Sequence, residues 1–62
     1  MRLDEYLAKR KMSPERLAEL AGCHRATIYR LLKGGGYQPT LETALNIESA
    51  THMAVTVQDL AS

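Results

Sequence analysis

An all-α fold, a compact bundle of four to five short helices, is predicted by two features of the 62-residue sequence. Apolar residues recur at helical intervals along most of the chain, and serine, threonine, proline and glycine stand where helices begin and end. The densest signal is PERLAELAGCHRATIYRLL, residues 14 to 32. Leu17 and Ala18 lie on one helix, Gly22 breaks it, and Ile28 and Leu31 lie three apart on the inward face of a second. Helices that cross near their ends approach closely only over a small side chain, which Ala18 supplies. Gly22 falls where the chain turns left-handed, a conformation that costs glycine nothing. Cys23 then acts as a small buried hydrophobe. Together these residues form a helix-turn-helix.

The elements follow in order. In RLDEYLAKRK, Leu3, Tyr6 and Leu7 repeat at i, i+3, i+4 and the basic residues gather at the end favoured by the helix dipole, giving a first helix over residues 2 to 11. Ser13 followed by Pro14 starts a second: the hydroxyl caps free amides, and proline at the first helical position forfeits no hydrogen bond. That helix runs from Pro14 to Ala21. A third runs from Arg25 to Lys33 and stops at Gly34-Gly35-Gly36. Thr40 after Pro39 caps a fourth, whose Leu41, Ala44, Leu45, Ile47 and Ala50 make a broad apolar stripe. Thr56 and Asp59 have capping-box spacing for a fifth short turn. Val55 and Val57 also have strand spacing, and at this level the extended and helical readings are both open.

Composition narrows the function. A chain of this length makes one domain, residues 1 to 62, and buries only about 60% of the surface that its unfolded form exposes. One cysteine forms no intrachain disulfide, and Cys23, His24 and His52 lack the paired spacing of a metal site, so neither metal nor cofactor is expected. The apolar runs are too short to span a membrane and the N-terminus is too charged for a signal peptide, so a cytoplasmic protein is expected. No nucleophile with a base, paired carboxylates or phosphate-cradling loop is evident, so no enzyme is expected.

The net charge is only +1, but it is unevenly spread: all eight lysines and arginines lie in the first 33 residues. Against Asp4, Glu5, Glu15 and Glu19 they leave this part at +4, while Glu42, Glu48 and Asp59 make the remainder −3. A basic half facing a polyanion, with the acidic half turned away, produces such a split. Segregated surface charge without a partner is the plainer explanation of charge alone.

With Ile28 and Leu31 turned inward, Arg25, Ala26, Tyr29 and Arg30 project from the front of the third helix, the part of a helix-turn-helix that enters the major groove. Arginine can donate two hydrogen bonds to guanine, alanine can meet a thymine methyl, and tyrosine can bond a phosphate or a base edge. Taken singly, an exposed arginine is most often merely solvated, and Tyr29 can equally pack on the second helix. His24 stands at the cap of the third helix, where serine or threonine serves better; a poor cap suggests another task, such as contact with a base or phosphate, although a tolerated surface residue fits as well. Thr27 either bonds a phosphate or back-bonds to its helix. His52 has no comparable context.

LAELAGCHRATIYRLLKG followed by PTLETALNIESAT resembles the lambda-type phage repressor and Cro helix-turn-helix family, and the ending IESATHMAVTVQDL is similar to short Cro-like members of the YdaS type. The resemblance covers nearly the whole chain. It implies a lambda repressor-like DNA-binding domain with Arg25, Ala26, Tyr29 and Arg30 facing bases. It also implies that Thr27 and the loop Lys33 to Thr40, with Gly35, Tyr37 and Gln38, meet the DNA backbone; Arg16 is a further backbone candidate. Members commonly carry glutamine at the start of the second helix, where it contacts a phosphate and braces the recognition helix. This chain has Pro14 there, which can do neither. The three glycines either expose amides to a phosphate or serve as a loose connector.

One helix-turn-helix buries little DNA surface, so a homodimer is expected, in solution or only on DNA, with Met53, Val55, Val57 and Leu60 at its interface unless they close the monomer's own core. The function expected is a sequence-specific, double-stranded DNA-binding transcriptional regulator, a phage or prophage repressor acting on an operator at the host nucleoid. An antitoxin or other protein-interaction module built on the same scaffold is the alternative. The tyrosines are too few and too scattered for an RNA-stacking platform.

Overall fold

The computed structural model describes residues 1–61. It contains α1 (Leu3–Arg10), α2 (Pro14–Ala21), α3 (Arg25–Lys33), α4 (Leu41–Ala50) and α5 (Val57–Ala61), and no strand among the described residues. Each start has its own local cause. The Ser13 hydroxyl accepts from the Arg16 amide at 3.1 Å with Pro14 at the first helical position, and the Thr40 hydroxyl accepts from the Thr43 amide at 3.2 Å. Thr56 and Asp59 form the anticipated reciprocal box: the Thr56 amide donates to Asp59 Oδ2 at 3.0 Å and the Asp59 amide to Thr56 Oγ1 at 3.1 Å. This settles the Val55–Val57 segment, since Val57 opens α5 and nothing there is extended into a strand.

Helix ends are reversed by left-handed residues. At Gly22 (φ 71°) the amide donates to Glu19 O and the next amide, of Cys23, reaches back to Ala18 O at 3.0 Å, which satisfies carbonyls that the end of α2 would otherwise leave free. Lys11 (φ 54°) and His52 (φ 53°) end α1 and α4 in the same way without being glycine.

α2 and α3 pack together, α4 lies against α2, α5 against α4, and α1 closes on α3. Leu17 of α2, Ile28 of α3, Ile47 of α4 and Val55 after it are completely buried and meet at the centre. Burying each contributes about 1.5–3 kcal/mol. Leu3, Tyr6 and Leu7 seal this centre from the α1 side, and Ala18 and Ala21 are the small residues where α2 meets its neighbours. Thr51 is the one buried polar side chain among the described residues; its hydroxyl donates to Ile47 O at 2.9 Å and accepts from the Val55 amide at 3.1 Å, so burial leaves it satisfied.

Two expectations change here. The broad stripe of α4 divides: Ala44 and Ile47 are buried, whereas Leu41 and Leu45 are exposed, 65% and 49% respectively. They lie one turn apart on a different face from Ile47. Val55 and Leu60, anticipated at a dimer interface, belong to the monomer's own core, and Val57 is partly buried against it. Of those four residues only Met53, 69% exposed, stands clear of the core.

Candidate nucleic-acid interface

The candidate site is the outer surface of α3 with the start of α2 beside it. Gly22 turns the chain, Cys23 is half-buried where it packs against the core, and His24 begins the helix. Contrary to the expectation of a poor cap, His24 caps α3: its Nδ1 accepts from the Ala26 amide at 3.1 Å. In a neutral ring this bond places the proton on Nε2, so the nitrogen left over is a donor. Capping and contact with a base or phosphate are therefore compatible roles for one imidazole.

Along α3, Ile28 is completely buried, Leu31 and Leu32 are partly buried against the core, and Arg25, Tyr29, Arg30 and Lys33 are exposed. Ala26 and Thr27 are half-buried beside them. At 3.6 residues per turn, positions 25, 26, 29, 30 and 33 share one side, so the structure brings the expected base-facing residues together on a single face.

The electrostatics of that face run against helix stability. The first turns of α1, α2 and α4 carry acidic residues, which complement the positive end of the helix dipole, whereas α3 has none and begins with Arg25. An exposed cation at a helix N-terminus costs some tenths of a kcal/mol, up to about 1 kcal/mol. The helix end itself gains nothing from it, and local rules are most often broken where function requires it. The same end would favour an incoming anion.

A carboxylate moderates this charge. Tyr29 Oη donates to Glu15 Oε2 at 2.5 Å, linking the middle of α3 to the first turn of α2. The hydroxyl, and more weakly nearby Arg25, holds the Glu15 carboxyl below the usual range, and the bond to Glu15 pushes the Tyr29 phenol above its ordinary value. Pro14 cannot brace the recognition helix, but the next residue does. Sequence reasoning missed Glu15 because its partner lies across the turn, 14 positions away, and no local pattern joins them.

The anticipated backbone-contacting residues separate into two groups. Arg16 is exposed on α2, its Nη1 bonded to Glu19 Oε1 at 2.8 Å. Thr40 is occupied in capping, its hydroxyl also donating to Thr43 Oγ1 at 3.0 Å. Lys33, Gly35, Tyr37 and Gln38 instead line an open hollow of about 610 Å³ between the end of α3, the start of α1 and α5. Gly34, Gly35 and Gly36 all have positive φ, a backbone course that other residues rarely follow.

Among the described residues no cluster of histidine, cysteine, aspartate or glutamate has the makings of a metal site, and no helix is long and apolar enough to cross a membrane. The family model described as the Cro/C1-type HTH DNA-binding domain matches residues 2–62. No curated protein and no solved structure matches the chain.

Proposed function

Because the chain belongs to the Cro/C1-type helix-turn-helix DNA-binding family, we propose that it is a sequence-specific regulator of transcription, a Cro-like repressor of phage or prophage origin that occupies operator DNA with α3 in the major groove. It acts in the cytoplasm of the bacterial host, at the nucleoid. The observation that carries this reading is the outer face of α3, where Arg25, Tyr29, Arg30 and Lys33 stand exposed on a helix whose positive end no acidic residue of its own first turn neutralises. Arg25, Ala26, Tyr29, Arg30 and His24 face base edges, and Thr27, Lys33, Arg16 and the glycine loop flank the phosphates.

Two copies pair so that their recognition helices lie about 34 Å apart, one turn of DNA. Exposed Leu41, Leu45 and Met53, all in the acidic half, support a pairing surface on that half. The same residues favour the second reading, a module that binds another protein and uses the fold only as a scaffold.

Mobility shifts with random-sequence duplex over a range of salt concentrations, followed by selection of bound sites from a random duplex library, test the proposal. Affinity that falls steeply with salt, together with a palindromic site of one-turn spacing, is the expected result. No shift even at low salt overturns it in favour of the scaffold reading.

A further inference from the structure

The bond between Tyr29 and Glu15 fixes what the tyrosine can say to DNA. A phenol has one proton to donate and lone pairs with which to accept. In this structure the proton goes to Glu15 Oε2 at 2.5 Å, a short bond to a charged acceptor. Such bonds are roughly twice as strong as neutral ones, so turning the hydroxyl toward a base carbonyl or ring nitrogen exchanges a stronger bond for a weaker one. A phosphate oxygen would match the carboxylate in charge, but to take the proton it must approach Glu15, and like charges repel. What Tyr29, 47% exposed, has left to offer is an acceptor.

Resting on the DNA-binding reading above, we propose that Tyr29 reads the major groove as a hydrogen-bond acceptor and selects an amino base, adenine or cytosine, over guanine or thymine, with Glu15 as the residue that sets this polarity. On the major-groove edge adenine offers its N6 amino group and cytosine its N4 amino group, whereas guanine offers two acceptors and thymine one acceptor beside a methyl. An acceptor backed by a carboxylate attracts the first two and repels guanine O6 and N7 and thymine O4. Arg25, close enough to act on both Glu15 and Tyr29, offsets the negative charge that DNA would otherwise meet here. The face of α3 thus presents arginine donors and one fixed acceptor, a pattern more selective than donors alone.

The experiment is site selection from a random duplex library with the wild-type chain, Tyr29→Phe, Glu15→Ala and Glu15→Gln, each checked for folding by circular dichroism. In the wild type, one position divides its preferences as adenine or cytosine against guanine or thymine, by about fivefold, the ratio set by one net hydrogen bond. Tyr29→Phe abolishes the division at that position alone, and Glu15→Ala, which frees the proton, brings the ratio toward one at the same position. Glu15→Gln retains a neutral acceptor and gives a ratio between the two. As a readout independent of DNA, the Tyr29 phenolate, followed by the ring NMR resonances that separate it from Tyr6 and Tyr37, forms at lower pH in Glu15→Gln than in the wild type.

A guanine or thymine preference at the Tyr29-dependent position overturns the proposal, as does an unchanged phenolate titration. A selected site in which Tyr29→Phe alters no single position overturns it while leaving the DNA-binding reading intact. Absence of any bound DNA overturns both.

Discussion

Thr56 and Asp59 cap the last helix for each other, each amide donating to the other's side chain, and Asp59 Oδ2 also accepts from the N-terminal ammonium at 2.8 Å. The ammonium first, and then the Thr56 amide, hold the Asp59 carboxyl at about 2, below its ordinary 3.8. A depressed carboxyl stabilises the fold above the unfolded value and loses that contribution as pH falls through the folded one. Thermal melts are therefore expected to weaken between about pH 4 and pH 2 through this group, and Asp59→Asn to flatten that part of the profile. Thr56→Ala, which removes half of the box, is expected to cost about 1 kcal/mol in urea titrations at neutral pH.

Ile28 anchors α3 to the core, since its side chain is completely buried while Tyr29 and Arg30 after it are exposed. Ile28→Ala is expected to cost about 2–5 kcal/mol. A single core of this size supplies roughly 3–5 kcal/mol in all, so that variant is expected to be largely unfolded, whereas Ile28→Val remains folded with a loss of about 1 kcal/mol. Far-ultraviolet circular dichroism against urea measures both; an Ile28→Ala melt close to wild type would show that the core closes without it.

Arg25 opens α3 at its positive end but also attracts Glu15, so its removal has opposing and small effects on stability and a clear one on binding. Arg25→Ala is expected to leave folding stability within some tenths of a kcal/mol of wild type while weakening specific DNA binding by about 1–3 kcal/mol and relaxing preference at one base position. Lys33→Ala is expected to weaken binding equally on all sequences and to lower the slope of log affinity against log salt by about 1. Equal losses for Arg25→Ala on operator and random duplex would make it a phosphate contact.

His24→Ser separates capping from recognition. Serine bonds the same free amides, so the variant is expected to keep wild-type stability, whereas His24→Ala loses about 1 kcal/mol. If Nε2–H meets the duplex, His24→Ser loses about fivefold in affinity despite its intact fold. Undiminished affinity would confine His24 to the cap.

The parts of this fold legible in the sequence are those whose causes lie within a few residues. Ser13 with Pro14, Gly22, Thr40 and the Thr56–Asp59 box place helix ends through bonds to their own neighbours, and the observed ends agree within a residue. The face of α3 was legible too, because Ile28 and Leu31 orient it. What could not be read depended on packing from elsewhere. Leu41 and Leu45 look as apolar as Ile47, and only the placement of α2 and α5 decides which of them is covered. Val55 and Leu60 likewise went to the monomer core, and His24 caps through a ring nitrogen where a hydroxyl would be expected. The Glu15–Tyr29 bond joins two helices, so nothing short of their packing reveals it.

The divided surface of α4 bears on how such a domain can diverge. Ile47 and Ala44 are buried where α4 meets α2 and α5, but Leu41 and Leu45 are largely exposed and lie outside that buried cluster. Mutations at the two leucines can therefore accumulate without loss of the fold, and the partners met there can change from one descendant to the next while α3 keeps its place.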